Sequence, residues 1–122
     1  MARVLIVDAD SRVRASLRGI LERRRHEVYE AANGPDGVAA AKRLAVHVVF
    51  ADVQHTTVHG GDLITELRDA TSVPIIAMAE GRSARSVAPL AAAVNLGASG
   101  FLLKPFTIDD VVSVLQETLP SA

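Results

Sequence analysis

Residues 48–52 have the sequence Val-Val-Phe-Ala-Asp, in which four apolar residues lead directly into a carboxylate. A short, unbroken apolar run of this kind is typical of a strand that is covered on both faces, as in a parallel sheet. Asp52 then lies at the carboxyl end of that strand, which is the edge where ligands bind in open α/β sheets. Two further apolar runs end in a charged residue in the same way, Val4–Val7 before Asp8 and Phe101–Leu103 before Lys104. We therefore expect two acids and one lysine at the same edge of a sheet.

The rest of the chain alternates between strand and helix patterns. The predicted strands are Arg3–Val7, Glu27–Ala31, Val46–Ala51, Ile75–Ala79 and Gly100–Leu103. The predicted helices run from Ser11 to Arg25, from the turn at Asn33–Gly37 to Ala45, from Asp62 to Ala70, from near Pro89 to a stop at Gly97, and from Thr107 to Leu119. We expect Ala45 and Ile108 to face the sheet from the second and the last of these helices. Five strands that alternate with five helices predict a parallel sheet with helices on both faces, joined by right-handed crossovers.

Length and composition favour one soluble cytoplasmic domain over residues 1–122. The chain has a net charge of −1 and no cysteine, so neither nucleic acid nor an anionic membrane is favoured as a partner, and thiolate sites are excluded. No charged segment leads into an apolar signal region, and no apolar stretch reaches the roughly 20 residues of a membrane span. The arginines at 23–25 suit the carboxyl end of a helix, because cations there complement the helix dipole. A nucleic-acid patch is the alternative interpretation of these arginines.

The predicted strand-end cluster has a recognisable chemistry. Two carboxylates in one cleft repel each other unless a proton or a cation joins them, and oxygen ligands suit Mg²⁺. A lysine beside them provides a charge that pairs with a phosphoryl group. An aspartate in this position is also a candidate nucleophile that forms an acyl phosphate.

Over nearly its whole length, the chain resembles a response-regulator receiver domain of two-component signalling. The resemblance depends on the three strand ends at Asp8, Asp52 and Lys104, on Val73–Ile76, and above all on Gly97–Phe106. It implies a flavodoxin-like, doubly wound α/β fold, with five parallel strands in the order 2-1-3-4-5 and five helices.

The resemblance also assigns roles to single residues. Asp52 matches the aspartate that takes a phosphoryl group from a kinase histidine, and Lys104 matches the lysine that pairs with that group. Asp8, Asp52 and the main-chain carbonyl of Gln54 match the positions that hold Mg²⁺. Phe101 and Ala79 occupy the two switch positions, Gly60 matches the glycine that closes the loop after Asp52, and the Lys104–Pro105 bond is expected to be cis.

Three residues depart from the family pattern. Ala9 replaces the second acid of the metal-binding pair, Ala79 replaces a Ser or Thr that bonds the phosphoryl group, and Thr56 replaces a proline. A hydrogen bond to a charged group is worth roughly 1.5–3 kcal/mol, so weak Mg²⁺ binding and slower phosphorylation are expected. Asp10 is a candidate substitute for the lost acid, and capping of the first helix is the alternative role.

These observations predict a signalling switch rather than an enzyme, in which a histidine kinase or phosphotransfer protein phosphorylates Asp52. A downstream effector is expected at the face formed by Ala84–Leu96, the fifth strand and the last helix. Self-association as a homodimer is left open. The first alternative is a pseudo-receiver that binds a partner without phosphate chemistry. The second is a small-molecule binder or hydrolase, although no Gly-rich phosphate loop is present. His55 and His59 leave a transition-metal site open as a further interpretation.

Overall fold

The computed structural model describes residues 1–54, 62–81 and 91–119. Its strands are β1 (Arg3–Val7), β2 (Glu27–Ala31), β3 (Val48–Asp52), β4 (Ile75–Glu80) and β5 (Gly100–Lys104). Its helices are α1 (Ser11–Arg23), α2 (Gly34–Arg43), α3 (Leu63–Ala70), the helical residues 91–95 (α4) and α5 (Ile108–Thr118). All strand pairs are parallel, and the order in the sheet is β2-β1-β3-β4-β5. The predicted fold class and strand order are therefore confirmed.

Both faces of the sheet are covered, which explains the apolar runs of the central strands. Successive side chains of a strand point to opposite faces, so each central strand contributes to two separate clusters. On one face, Leu5, Val49 and Ile75 pack with residues of α2 and α3. On the other face, Ile6 and Phe50 pack with residues of α1 and α5. All five residues of β3, including Asp52, are buried.

Polar side chains cap the amino ends of α1, α2, α3 and α5. The caps of α1, α2, α3 and α5 are Asp10, Asn33, Asp62 and Thr107, and each accepts a hydrogen bond from a backbone amide of the first turn. Such caps satisfy amides that have no partner within the helix and typically contribute about 1 kcal/mol each. Because α1 and α5 follow β1 and β5 closely, these caps also fix the turns that carry the charged strand ends.

The structure corrects several of the helix and strand boundaries that the sequence predicted. Helix α1 ends at Arg23 rather than Arg25, because Arg25 adopts a left-handed backbone conformation with φ of 66°. Ala45 and Ile108 were both expected to face the sheet and are both exposed, since α2 ends at Arg43 and Ile108 lies in the first turn of α5. Strands β4 and β5 each extend one residue further than expected, to Glu80 and Lys104.

Some expectations fall outside the described residues. These are the loop at 55–61 with Gly60, and the segment 82–90 with Pro89 and the start of the expected helix. Among the described residues, no helix combines the length and the apolarity that a membrane span requires.

Candidate functional site

The charged residues at the strand ends meet at one edge of the sheet. Strands β1 and β3 are neighbours, and Val7 lies opposite Ala51, so the next residues, Asp8 and Asp52, come side by side. Lys104 ends β5 and lies opposite Glu80 of β4. The parallel arrangement brings all carboxyl ends to the same edge, as the sequence predicted.

Lys104 joins the two acids in a buried ion-pair cluster, which we call the acid–lysine cluster (Asp8, Asp52 and Lys104). Its Nζ lies 2.7 Å from Oδ2 of Asp8 and 3.2 Å from Oδ1 of Asp52. Asp8 is 1% exposed and Asp52 is 0% exposed, and the Lys104 side chain is 10% exposed. The predicted convergence of these three side chains is confirmed, while their roles in phosphate chemistry stay predictions.

The two acids keep Lys104 charged. Burial by itself lowers the pKa of Lys104, but the hydrogen bond that Lys104 donates to Asp8 and the charges of Asp52 and Asp8 outweigh it, so that its pKa lies above the ordinary lysine value. With both carboxylates ionised, the cluster retains one negative charge in excess. A cation that approaches the cluster is therefore attracted, but it must compete with an ammonium group that is already in place.

Backbone amides hold the two carboxylates in position. The Asp10 amide donates to Oδ1 of Asp8 at 2.9 Å, and the Gln54 amide lies 3.4 Å from Oδ1 of Asp52. Arg14 stabilises the turn after β1, because its Nη1 donates to the backbone carbonyl of Asp8 at 2.6 Å. Glu30 of β2 in turn accepts a hydrogen bond from Nε of Arg14 at 3.0 Å.

The structure gives Asp10 the capping role. Its Oδ1 accepts the Arg12 amide at 2.9 Å and lies 3.5 Å from Nε of Arg12, and its side chain is 42% exposed. Within the described ranges, no group of three acidic, histidine or cysteine side chains is placed to hold a metal ion. The Asp10 carboxylate is engaged with the first turn of α1 in this conformation, and its role as a substitute metal ligand stays a prediction.

The two switch positions lie in very different surroundings. Ala79 is fully buried in β4, where it provides no hydroxyl group. Phe101 of β5 lies opposite Ala77 of β4, and it is 42% exposed. The Lys104–Pro105 peptide bond is cis, as the resemblance implied.

Sequence reasoning missed two contacts at this edge. Besides the Arg14 contact with Asp8, the side-chain oxygen Oε1 of Gln54 accepts a hydrogen bond from the backbone amide of Glu80 at 2.7 Å. Neither contact leaves a signal in the sequence, because each depends on the path of a long side chain. His55, Thr56 and His59, in the expected loop after Asp52, lie outside the described residues.

The family follows from a match that covers most of the chain. Residues 4–116 match the family model of the response regulator receiver domain. The chain belongs to this family. The match includes the whole acid–lysine cluster, and receiver domains are the signalling modules of two-component systems.

Curated relatives are similar to this receiver domain over part of their length. The transcriptional regulatory protein ResD of Bacillus subtilis (strain 168) is 29% identical over 111 residues, which are 90% of this chain and 45% of ResD. The transcriptional regulatory protein SrrA of Staphylococcus aureus (strain NCTC 8325 / PS 47) is 31% identical over 110 residues, 89% of this chain and 44% of SrrA. The chain therefore spans less than half the length of these relatives.

Solved structures share the fold. The chemotaxis protein CheY4 of Vibrio cholerae superimposes with a TM-score of 0.82 at 28% identity, covering 98% of this chain and 99% of CheY4. The receiver domain of NtrX from Brucella abortus superimposes with a TM-score of 0.85 at 25% identity, covering 98% of this chain and 99% of that domain. Both comparisons agree with the sheet order found in this receiver domain.

Proposed function

We propose that Asp52 accepts a phosphoryl group from the phosphohistidine of a histidine kinase or of a phosphotransfer protein. The observation that carries this proposal is the pair of contacts from Lys104 Nζ to Asp8 and Asp52, at 2.7 and 3.2 Å. A carboxylate oxygen of Asp52 attacks phosphorus, an O–P bond forms, the P–N bond to histidine breaks, and the released imidazole takes up a proton. The product is an acyl phosphate on Asp52.

Lys104 is suited to the charge that this step brings to the site. A phosphoryl group adds negative charge next to Asp52, and the ammonium group lies within hydrogen-bonding distance of the carboxylate that would carry it. Its raised pKa keeps it protonated at neutral pH. The lysine thus pairs with carboxylates before the transfer and is available to a phosphoryl oxygen afterwards.

Mg²⁺ fits this site only partly. Asp8, Asp52 and the Gln54 carbonyl would hold the ion, since two carboxylates and a carbonyl are the hard oxygen ligands that Mg²⁺ prefers. When bound, the ion would neutralise negative charge on the phosphoryl oxygens. Ala9 adds no carboxylate, and Lys104 already contacts both acids, so we propose that binding of Mg²⁺ is weak.

A phosphorylation-independent interaction module is the second candidate function. It is favoured by the same ion pairs, because Lys104 neutralises part of the acidic charge without any metal. In addition, Ala79 has no hydroxyl group to bond a phosphoryl group, so this residue cannot couple phosphorylation to the neighbouring surface. In this alternative, the partner binds the domain in one conformation, and no phosphorylation is needed for binding.

Treatment with acetyl phosphate and Mg²⁺ is expected to add one phosphoryl group to the chain at Asp52. Intact-protein mass spectrometry measures the added mass, and Asp52→Asn is expected to abolish it because the carboxylate nucleophile is lost. Asp62→Asn is a suitable control, since Asp62 caps α3 and lies outside the cluster. Modification of the Asp52→Asn variant at the wild-type level contradicts the assignment. A wild-type chain that stays unmodified, while Ala9→Asp is modified, favours the interaction module.

We also propose that a downstream effector, or a second copy of this chain, docks on the face formed by β5, α5 and residues 91–96, the described part of the expected segment 84–96. Among the described residues of this face, five large apolar side chains are exposed, namely Val94, Leu96, Phe101, Leu103 and Ile108. The double variant Phe101→Asp/Leu103→Asp is expected to weaken partner binding or self-association at least tenfold, because buried apolar contact area is lost and charge is added. Size-exclusion chromatography with light scattering, and a binding assay with a candidate effector, measure the change. Unchanged association in both assays overturns the choice of this face.

A further inference from the structure

Two histidines provide hydrogen-bond acceptors at the amino ends of the central strands. Nδ1 of His26 accepts the backbone amide of Ala2 at 3.0 Å, and Nδ1 of His47 accepts the backbone amide of Arg3 at 2.8 Å. His26 directly precedes β2 and His47 directly precedes β3, and these strands are the two neighbours of β1 in the sheet. The start of β1 is therefore held by one imidazole ring on each side.

The two rings supply acceptors at the point where the sheet begins. The carbonyl of Ala2 accepts the Glu27 amide at 2.9 Å, and the carbonyl of Arg3 accepts the His47 amide at 2.8 Å. Strand β2 begins only at Glu27, and β3 begins only at Val48. The amides of Ala2 and Arg3 thus lie at the end of the ladders, where imidazole nitrogens take the position of a backbone acceptor.

Only an unprotonated ring nitrogen can accept these amides. In the neutral rings, Nδ1 is the acceptor and the proton is on Nε2. In a protonated ring both nitrogens are donors, so that Nδ1–H would face a backbone N–H and the hydrogen bond would be lost. Ala2 is 8% exposed, so this loss would leave a largely buried amide without its acceptor.

The surroundings of His26 oppose a positive charge on its ring. Burial lowers the pKa of His26 below the ordinary value of 6.5, and the nearby amino-terminal ammonium group and Arg24 lower that pKa further. Glu27 is the next residue of the chain, and its carboxylate accepts the Tyr29 hydroxyl at 2.8 Å. Because the pKa of His26 is lowered in the folded state, its contribution to stability is present above pH 6.5 and is lost as the pH falls through the folded value.

His47 is exposed, so protons reach its ring from solvent. Its charged neighbour on β1 is Arg3, whose Nε donates to the Ala45 carbonyl at 2.6 Å. Both histidine rings line one cavity of about 460 Å³, and the described residues that share this lining from the start of β4 and the end of α5 are apolar, namely Val73, Pro74 and Leu119. This lining provides no carboxylate that would stabilise a protonated ring.

We propose that His26 and His47, the histidine pair, form an acid-sensitive attachment of β1, in which neutral rings hold the amides of Ala2 and Arg3 and protonated rings release them. The inference is independent of the proposed function, because the pair lies at the amino ends of the strands and the acid–lysine cluster lies at the opposite edge. The carbonyl bonds of Ala2 and Arg3 stay in place after release. The amino end of β1 therefore loosens in acid while the sheet remains folded.

Asparagine substitutions separate the acceptor from the titration. The double variant His26→Asn/His47→Asn keeps an oxygen acceptor near the position of Nδ1, but this acceptor cannot be protonated. Between about pH 7.5 and about pH 5.5, the urea midpoint of the wild type is expected to fall by roughly 0.5–1 M, and that of the double variant by less than half as much. His55 and His59 are present in both proteins, so any pH dependence that comes from them persists in the variant.

Glutamine substitutions are the matched control. The double variant His26→Gln/His47→Gln carries the same amide group, but one carbon further from the backbone, so that its oxygen is not at the position of Nδ1. We expect its urea midpoint to lie below that of the asparagine variant already at neutral pH, with equally little dependence on pH.

NMR spectroscopy of the wild type tests the pair without any substitution. At neutral pH, the nitrogen shifts of both rings are expected to show an unprotonated Nδ1 and a proton on Nε2. Hydrogen exchange of the Arg3 amide, corrected for the intrinsic effect of pH, is expected to lose protection by about fivefold or more as the rings are protonated.

Each outcome decides for or against the histidine pair. An equal fall of the urea midpoint in the wild type and the asparagine variant overturns the inference, as does a proton on Nδ1 of either ring at neutral pH. An asparagine variant that is less stable at neutral pH but insensitive to acid supports it, because the titration has been removed. If neither double variant folds, the wild type decides: loss of protection of the Arg3 amide on protonation of the rings supports the inference, and retained protection overturns it.

Discussion

Lys104→Met is expected to lower the free energy of unfolding by about 3–5 kcal/mol at neutral pH, because it leaves two buried carboxylates without their cation. Asp8 and Asp52 are almost completely inaccessible to solvent, so water cannot screen their repulsion as it would at the surface. Met fills a similar volume with an apolar chain. The loss of stability therefore measures the effect of the missing positive charge and not the effect of a cavity in the core.

The pH dependence of this loss has a defined sign. The pKa of Lys104 is raised in the folded state, so its contribution is fully present below the ordinary lysine value of 10.5 and is lost as the pH rises through the higher folded value. The difference between wild type and Lys104→Met is therefore expected to be fully present at neutral pH and to shrink as the pH rises through the folded-state pKa of Lys104.

Urea unfolding at neutral and alkaline pH, monitored by circular dichroism, measures both the loss of stability and its pH dependence. Lys42→Met is the matched control, because Lys42 is an exposed lysine in the last turn of α2. That variant is expected to change stability by less than about 0.5 kcal/mol. An equal loss in the two variants, or a loss in Lys104→Met that does not shrink as the pH rises through the folded-state pKa of Lys104, contradicts a role for Lys104 as the cation of the cluster.

The sequence was sufficient to predict the acid–lysine cluster because its positions are set by the backbone. An apolar run that ends in a charge identifies a buried strand and its carboxyl end, and a parallel sheet brings such ends together. Asp8, Asp52 and Lys104 were found in this way. Their closeness follows from strand order and register, both of which are properties of the whole fold.

Features that depend on one side chain or one turn were harder to predict. Ile108 has the spacing of an inward-facing residue of α5, but it is the first residue of that helix and is exposed. The contact between Gln54 and the Glu80 amide depends on where the chain turns after β3. Periodicity describes faces of regular elements, and it contains no information about the path of a side chain in a turn.

Ala9→Asp is expected to raise the affinity for Mg²⁺ at least tenfold, because it restores a carboxylate directly after Asp8. Ala9 is exposed at the rim of the acid–lysine cluster, so a carboxylate there can be hydrated when no ion is bound. The added charge also shifts the balance between Mg²⁺ and Lys104. A divalent ion gains a third acidic ligand, while the lysine already has both of its partners.

Calorimetric or NMR titration with Mg²⁺ alone measures this affinity without any phosphoryl donor. Ala9→Asn is the matched control, because it adds an oxygen of nearly the same reach without the charge, and it is expected to improve binding much less. Equal affinities for the Asp and Asn variants would show that the number of oxygen ligands, rather than charge, limits binding. An Ala9→Asp variant no better than the wild type would mean that Lys104 excludes the metal even when the acidic pair is complete. In that case, the ion pairs would act as a permanent substitute for Mg²⁺, and the phosphorylation-independent module would become the better account of this chain.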